Sequence, residues 1–126
     1  MRIFKTKGFA RFQRRDGIDD AALCEAIARA ERGLIDANLG HGLIKQRVAR
    51  HGEGKRGGFR TIMAYRAGDR SVFLYGFAKN QQANIGKEDE RDLKDYGGMI
   101  LALDARDLEI MTREGELTEM IDHGKK

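Results

Sequence analysis

The stretch that decides the fold is GLIKQRVARHGEGKRGGFRTIMAYR, residues 42–66. Between residues 43 and 48 the alternation of residue types predicts a strand that presents Lys45 and Arg47 on one face. Residues 59–66 are rich in β-branched and aromatic residues and predict a second strand. The glycine-rich segment between the two predicts a polar loop. We therefore expect a hairpin at this point of the chain.

The same stretch is the most basic part of the sequence. Its cations are Lys45, Arg47, Arg50, Lys55, Arg56, Arg60 and Arg66, and its one acid is Glu53. Seven cations against one acid give the stretch a net charge of +6, whereas the whole chain carries +4. Paired strands lie about 5 Å apart, so a hairpin gathers most of these charges in a small area. Such an area suits a polyanion, and charge alone fits both a nucleic acid and an anionic membrane.

Length and cysteine usage limit the class of protein. With 126 residues, the chain is expected to form one domain, residues 1–126. Cys24 is the sole cysteine, which excludes an internal disulfide and is typical of a reducing cytosol. The first residues lack the apolar core of a signal peptide, and no apolar run approaches the roughly 18 residues of a membrane helix. We expect a cytoplasmic protein with no membrane partner.

The rest of the chain predicts both helices and strands. Strands are expected at residues 2–4, 43–48, 59–66 and 72–79, helical turns at 5–14, helices at 19–33, 88–103 and 104–112, and a short strand or tail at 116–121. The main elements then follow the order β, α, β, β, β, α, α. This order predicts an α+β domain in which a small antiparallel sheet has helices packed on one face.

Three features suggest other chemistry but are better explained without it. The segment HGEGKRGG lacks the GK[ST] ending of a phosphate-binding loop and leads into a strand rather than a helix. The histidines His41, His51 and His123 have no spacing that fits a metal site, so no cofactor is expected. Cys24 borders the apolar stripe of the helix at 19–33, where packing is the simpler role.

Several aromatic and basic residues are assigned to packing or solvent. Phe73 and Phe77 are expected in the core, whereas stacking of bases on Tyr65 or Tyr75 stays an alternative. The three arginines of the first helical turns, Arg11, Arg14 and Arg15, are expected to form a solvated face.

Lys79 closes the third strand of the predicted meander, in the sequence FAKNQQANI. Strand alternation can place it over the same sheet face as Lys45 and Arg47, although a solvated lysine is an equally simple reading. The amides that follow it are Asn80, Gln81, Gln82 and Asn84. Amide groups suit the edges of bases and the ribose.

Taken together, KQRVA, GEGKRGGFR and YGFAKN resemble the RelE/ParE superfamily of type II toxin–antitoxin toxins, with the HigB-type branch as the most similar. The resemblance spans roughly residues 20–103. It implies an α+β fold and a metal-independent endoribonuclease that cuts mRNA in the ribosomal A site. It also implies a cognate antitoxin, of the HigA-like helix-turn-helix kind, which we expect to contact the helices rather than the basic sheet face.

The resemblance also assigns site residues. Lys45 and Arg47 match the paired basic positions of the family's second strand. Arg60 matches the arginine that contacts the reacting phosphate, and Lys79 matches the lysine that ends the last long strand. These four are the candidate catalytic residues. An arginine can stabilise the charge of the transition state, and a lysine crowded by cations is a candidate base for the 2′-hydroxyl. The candidate RNA-binding residues are Arg50, Lys55, Arg56 and Asn80.

The sequence departs from the RelE pattern after Lys79. RelE toxins carry an arginine and then a tyrosine there, whereas this chain has Asn80 and, approximately, Ile85. The general acid is therefore unassigned. Two alternatives stay open: a ParE-like toxin that inhibits DNA gyrase, and a nucleic-acid-binding module without catalysis.

Overall fold

The computed structural model describes residues 1–50, 54–79 and 84–120, with the backbone alone at Arg50 and at residues 54–57. Within these residues the chain forms six strands and four helices. In chain order they are β1 (Arg2–Thr6), α1 (Lys7–Asp16), α2 (Asp20–Glu31), β2 (Ala37–Gly40), β3 (Leu43–Arg50), β4 (Gly54–Arg66), β5 (Arg70–Ala78), α3 (Lys87–Ala102), α4 (Ala105–Arg113) and β6 (Leu117–Met120). The predicted α+β class is confirmed.

The strands form one sheet in the order β2-β3-β4-β5-β1-β6. Strands β3, β4 and β5 are the predicted antiparallel meander. The sheet is not wholly antiparallel, because β1 pairs with β5 in parallel and with β6 antiparallel. Strand β2 lies in a segment that we expected to be a connection, and it pairs with the first residues of β3.

Residues 54–58 of the glycine-rich segment belong to a strand rather than to the loop that we expected. Strand β3 continues to Arg50 and β4 begins at Gly54, and these two residues are paired after a register irregularity beyond Val48. Glycine disfavours strands only weakly, and pairing with a neighbouring strand outweighs that preference. The hairpin therefore carries its basic residues on paired strands further than the sequence predicted.

Helices cover both faces of the sheet, so the predicted one-face arrangement is wrong. Helices α1 and α2 pack on one face, in a cluster that includes Phe9, Leu23, Ile27, Ile44, Phe59, Met63 and Phe73. Helices α3 and α4 pack on the other, in a cluster that includes Leu43, Ile62, Ala64, Val72, Ile100 and Leu108. The physical reason is that β3, β4 and β5 alternate between two apolar faces, and each face needs cover.

Local signals in the sequence explain how several helices begin and end. The Thr6 hydroxyl accepts a hydrogen bond from the Phe9 amide at 3.2 Å, and Asp104 accepts one from the Asp107 amide at 2.8 Å, so both residues cap helices. Helix α2 ends at Glu31, and Leu34, which follows it, is 56% exposed. None of the described helices combines the length and apolar character needed to cross a bilayer.

Candidate active site

Helix α3 covers only part of the sheet face on which it packs. Its Gly97 lies so near the sheet that an added Cβ would be 3.3 Å from Leu43 and 3.4 Å from the Ala64 and Leu74 side chains. We call this region the covered end of strands β3, β4 and β5. Further along the same strands the side chains are basic or aromatic. We call the second region the open end and define it by Lys45, Arg47, Arg60, Tyr75, Phe77 and Lys79.

The strand register brings the open-end residues together. Arg47 is the direct partner of Arg60, and Arg60 is the direct partner of Phe77. Lys45 is opposite Ile62, a member of the α3-side cluster. Directly opposed residues of antiparallel strands lie on the same face. Three of the four predicted catalytic residues are thus neighbours on one face. The fourth, Lys79, is exposed and lies in the turn directly after β5.

Arg47 and Arg60 bring two like charges directly opposite each other. Neither guanidinium makes a hydrogen bond or an ion pair with another described residue. Two like charges directly opposite each other destabilise a sheet. A bound anion would relieve this repulsion, and a phosphate offers oxygen atoms that suit the planar guanidinium group.

Lys45 is oriented by the segment that leads into α3. Its Nζ donates a hydrogen bond to Asn84 Oδ1 at 3.2 Å, and the same oxygen accepts one from the Ile85 amide at 2.9 Å. The sequence suggested Asn84 as a partner for bases. In the structure its amide oxygen instead holds the lysine, which fixes the position of the amine over the sheet.

The peptide groups of Arg47 are held by side chains from outside the sheet. Its amide donates to Asp36 Oδ2 at 2.6 Å, and the guanidinium of Arg29 donates to its carbonyl oxygen. Arg29 is 5% exposed and also pairs with Glu25 at 2.8 Å. The pairing of β2 with β3 stops at Lys45, so these side chains replace a neighbouring strand. Sequence reasoning missed this arrangement, whose only local signal is the Glu25–Arg29 spacing on α2.

The sequence left open whether Tyr75 packs in the core or stacks on bases. Phe73 and Phe77 are buried at 0% and 4% exposure, as predicted, whereas Tyr75 is 37% exposed. The register shifts here, since Met63 pairs with Phe73 while Ile62 pairs with Tyr75. The extra residue of this bulge is Leu74. The Tyr75 ring lies 6.0 Å from that of Phe77 and offers a surface on which a base can stack.

The four predicted RNA-binding residues lie outside what the structure describes in full. Arg50 and the Lys55–Arg56 pair lie on β3 and β4 beyond Arg47 and Arg60, but their side chains are not described. Asn80 lies outside the described residues. Their contacts with RNA stay predictions.

Two tyrosines outside the open end have hydroxyl groups with a shifted pKa. Burial raises the pKa of the Tyr65 and Tyr96 hydroxyls, with smaller contributions from the negative charges of Glu31 and Glu116 respectively. The Tyr65 hydroxyl is buried and has no hydrogen-bond partner among the described residues. Among these residues, no three His, Cys, Asp or Glu side chains are grouped as metal ligands.

The chain also matches a known protein family. Residues 1–120 match the family model of the RelE toxin of the RelE/RelB toxin–antitoxin system. The chain belongs to the RelE toxin family. As a RelE-family protein it is the toxin of a toxin–antitoxin system, and the family implies a cognate antitoxin as its partner. No curated protein matches the chain. The closer similarity to HigB-type toxins stays a prediction.

Proposed function

We propose that this RelE-family toxin is a ribosome-dependent, metal-independent endoribonuclease of the HigB kind that cleaves mRNA during translation. The observation that supports it is the Arg47–Arg60 pair, two guanidinium groups opposite each other with no counter-charge from the described residues. A pair of this kind suits the phosphate of a single RNA strand laid across the open end.

The reaction requires one proton to be removed and one to be supplied. The 2′-hydroxyl loses its proton and attacks the adjacent phosphorus, the bond from phosphorus to the 5′-oxygen breaks, and that oxygen takes up a proton. The products are a 2′,3′-cyclic phosphate and a 5′-hydroxyl. Arg47 and Arg60 stabilise the extra negative charge that the phosphate carries in the transition state.

The positions of the two lysines suggest how the protons move. Lys45 is on β3, on one side of Arg60, and Lys79 follows β5, on the other side. In a displacement at phosphorus, the attacking and leaving oxygens are on opposite sides of the phosphate. We assign removal of the 2′-proton to Lys45, whose amine is held by Asn84, and donation to the 5′-oxygen to Lys79. This assignment supplies the general acid that the sequence left open.

The test uses a translated reporter mRNA, purified ribosomes and primer extension. We expect new 5′ ends within the coding region only when ribosomes are present. Replacing the 2′-hydroxyl at a mapped cut by hydrogen is expected to remove that cut. Inhibition of gyrase supercoiling without any mRNA cleavage would instead establish the ParE-like alternative, and RNA binding without cleavage would establish a non-catalytic module.

We further propose that the antitoxin has a helix-turn-helix domain and contacts α3 and α4 rather than the open end. Two large apolar side chains support this, since Met99 of α3 is 43% exposed and Ile110 of α4 is 37% exposed. Titration of antitoxin into a complex of toxin with a short RNA is expected to give a ternary complex. Stoichiometric displacement of the RNA would show that the antitoxin covers the open end instead.

A further inference from the structure

A cleft between α1 and β5 lies beside the open end. It has a volume of about 330 Å³ and is lined by Gly8, Arg11, Phe12, Arg15, Tyr75 and Gly76, among other residues. We call it the edge cleft. It is present because the pairing of β1 with β5 stops at Phe73, and the last residues of β5 therefore extend beyond β1.

Tyr75 belongs to both the open end and the edge cleft. Its partner Ile62 places it on the α3 side of the sheet, and the residue also lines the edge cleft, past the end of β1. Phe12 of α1 packs against Gly76, where an added Cβ would lie 2.2 Å from the Phe12 ring. The glycine thus lets α1 approach the sheet and gives the cleft its floor.

The charges of the edge cleft favour an anion. None of its lining residues is acidic. Arg11 is exposed and makes no ion pair or hydrogen bond with another described residue. Arg15 pairs with Asp16 at 3.3 Å, and its guanidinium carbon lies 5.6 Å from the centre of the Phe12 ring. Both arginines were assigned to a solvated helix face in the sequence, yet they border a cleft that ends at an aromatic ring.

The opposite side of Tyr75 is acidic. There a smaller cleft, of about 220 Å³, is lined by Tyr75, Asp89, Asp92 and Leu93. Two carboxylates repel a phosphate, so an RNA strand that leaves the open end past Tyr75 is directed toward α1 and away from α3.

We propose that the edge cleft binds one nucleotide of the substrate strand next to the scissile phosphate, with its base stacked on Tyr75 and its phosphate bound by Arg11 and Arg15. From strand spacing and rise, Tyr75 lies roughly 8 Å from Arg60, which is compatible with a neighbouring nucleotide. Stacking on an aromatic ring needs an unpaired base, so the occupant is a single strand rather than a helical segment of ribosomal RNA. The proposal rests on the proposed function in requiring RNA at the open end.

The experiment measures binding of short RNAs by fluorescence anisotropy, with a 2′-deoxy sugar at the cleaved position to prevent reaction. A trinucleotide is compared with versions extended by two nucleotides at the 5′ or the 3′ end. We expect one of the two extensions to tighten binding by about fivefold or more. That gain is expected to disappear in Tyr75→Ala and in the double variant Arg11→Ala, Arg15→Ala. The double variant is expected to change binding of the trinucleotide little, because both of its arginines lie outside the open end.

Matched variants make the result specific. Arg14→Ala removes a cation of the same helix that lines a different cleft, with Lys5 and Asp19, and is expected to keep the gain. Tyr75→Phe keeps the aromatic ring and is also expected to keep the gain in affinity. Comparison with Tyr75→Ala therefore separates loss of stacking from loss of folding. The double variant is expected to lower the slope of log affinity against log salt by about 0.7 for each phosphate that it no longer neutralises.

Three results would overturn the proposal. One is no gain from either extension in the wild type, and another is a gain that survives in the double variant. The third is normal binding of the extended RNA but weaker binding of ribosomes, which would assign the arginines to the ribosome. The proposed function is tested separately by Arg47→Ala with Arg60→Ala, because failure of that variant to weaken trinucleotide binding would count against the open end and not against the cleft.

Discussion

The two ends of strands β3, β4 and β5 differ in what their arginines contact. At the covered end, Arg70 donates hydrogen bonds to the carbonyl oxygens of Ile100 and Leu103, at 3.1 and 2.8 Å. These carbonyls are at the C-terminus of α3, where the last helix carbonyls have few local partners. The Ile100 oxygen also accepts a hydrogen bond from the Leu103 amide, at 3.3 Å. At the open end, Arg47 and Arg60 face each other and have no such partner among the described residues.

The comparison separates two uses of the same residue type on the same strands. Arg70 completes the hydrogen bonding of a helix and so contributes to stability. Arg47 and Arg60 place two like charges opposite each other, an arrangement that does not by itself favour the sheet and that suits the binding of an anion. The partners of an arginine, more than its position in the sequence, therefore indicate its role.

The largest expected effect comes from Arg60→Ala. We expect growth arrest to be abolished and mRNA cleavage to fall by about 10²–10³, because the variant has one donor fewer to the developing phosphate charge. The thermal unfolding midpoint is expected to stay near that of the wild type, since no described hydrogen bond of Arg60 is removed.

Arg66→Ala is the matched control for this variant. Arg66 is on the same strand and face but pairs with Asp69 at 3.1 Å, and we expect cleavage to be retained. Full cleavage by a folded Arg60→Ala protein would remove Arg60 from the catalytic residues.

The covered end is tested by Ile100→Ala, which truncates a side chain with 0% exposure. We expect a loss of about 2–5 kcal/mol in the free energy of unfolding from the cavity that it leaves. Cleavage per folded molecule is expected to be unchanged at a temperature where the variant is folded. Chemical denaturation measures the free energy of unfolding, and primer extension measures the cleavage. An equally large loss of specific cleavage would show that the two ends are not independent.

An intermediate effect is expected from Asp36→Ala, which removes the acceptor of the Arg47 amide. Loss of this charged hydrogen bond is expected to cost about 1.5–3 kcal/mol in stability and to slow cleavage by misplacing Arg47. Asp36→Asn keeps an oxygen acceptor and is expected to recover most of the cleavage rate. If neither variant changes cleavage, the hydrogen bond between Asp36 and the Arg47 amide has only a structural role.

The smallest effect concerns the Arg2–Glu119 pair, which joins β1 to β6 through two hydrogen bonds of 2.9 Å. The hydrogen bond from Arg2 holds the pKa of Glu119 below its usual range. The pair therefore stabilises the fold above the unfolded pKa of about 4.3, and this stability is lost as pH falls through the lower folded value.

Because both side chains are partly exposed, the contribution is expected to be below about 1 kcal/mol. Denaturation at pH 7 and pH 3 measures it. Glu119→Gln is expected to reduce the acid-dependent loss of stability slightly, whereas Glu114→Gln in the turn before β6 is the comparison expected to leave that loss unchanged. An identical pH dependence in Glu119→Gln and the wild type would contradict the assigned pKa shift.

Sequence alone predicted the central part of the molecule well. The alternation of residues 43–48 and the composition of residues 59–66 and 72–79 are local signals, and they located β3, β4 and β5 and placed Lys45 beside Arg47. The short apolar runs of these strands did not reveal that both faces are covered. The sequence pattern also could not show that β1 is parallel to β5, because pairing between distant segments leaves no local trace.

The candidate site was predicted less completely than the fold. Lys45, Arg47, Arg60 and Lys79 were chosen from a resemblance, and their catalytic roles stay predictions. Tyr75 was not separated from the core aromatics, because a bulge one residue earlier changes which face it occupies. Arg29 and Asp36 make hydrogen bonds with the backbone of Arg47, at the edge of β3. The geometry of these bonds depends on tertiary packing rather than on any sequence motif.

The place of β1 between β5 and β6 has a consequence for the timing of synthesis. Arg2 and Glu119, which meet across β1 and β6, are 117 residues apart, whereas β3, β4 and β5 pair with their neighbours in sequence. Local pairings form early and distant ones late. At about 5–20 residues per second, on the order of ten seconds pass between translation of β1 and translation of β6. During that interval a nascent chain can form its cationic hairpins but cannot close its sheet. We therefore expect a newly made toxin to become competent only after β6 has been translated, which gives the antitoxin time to meet it first.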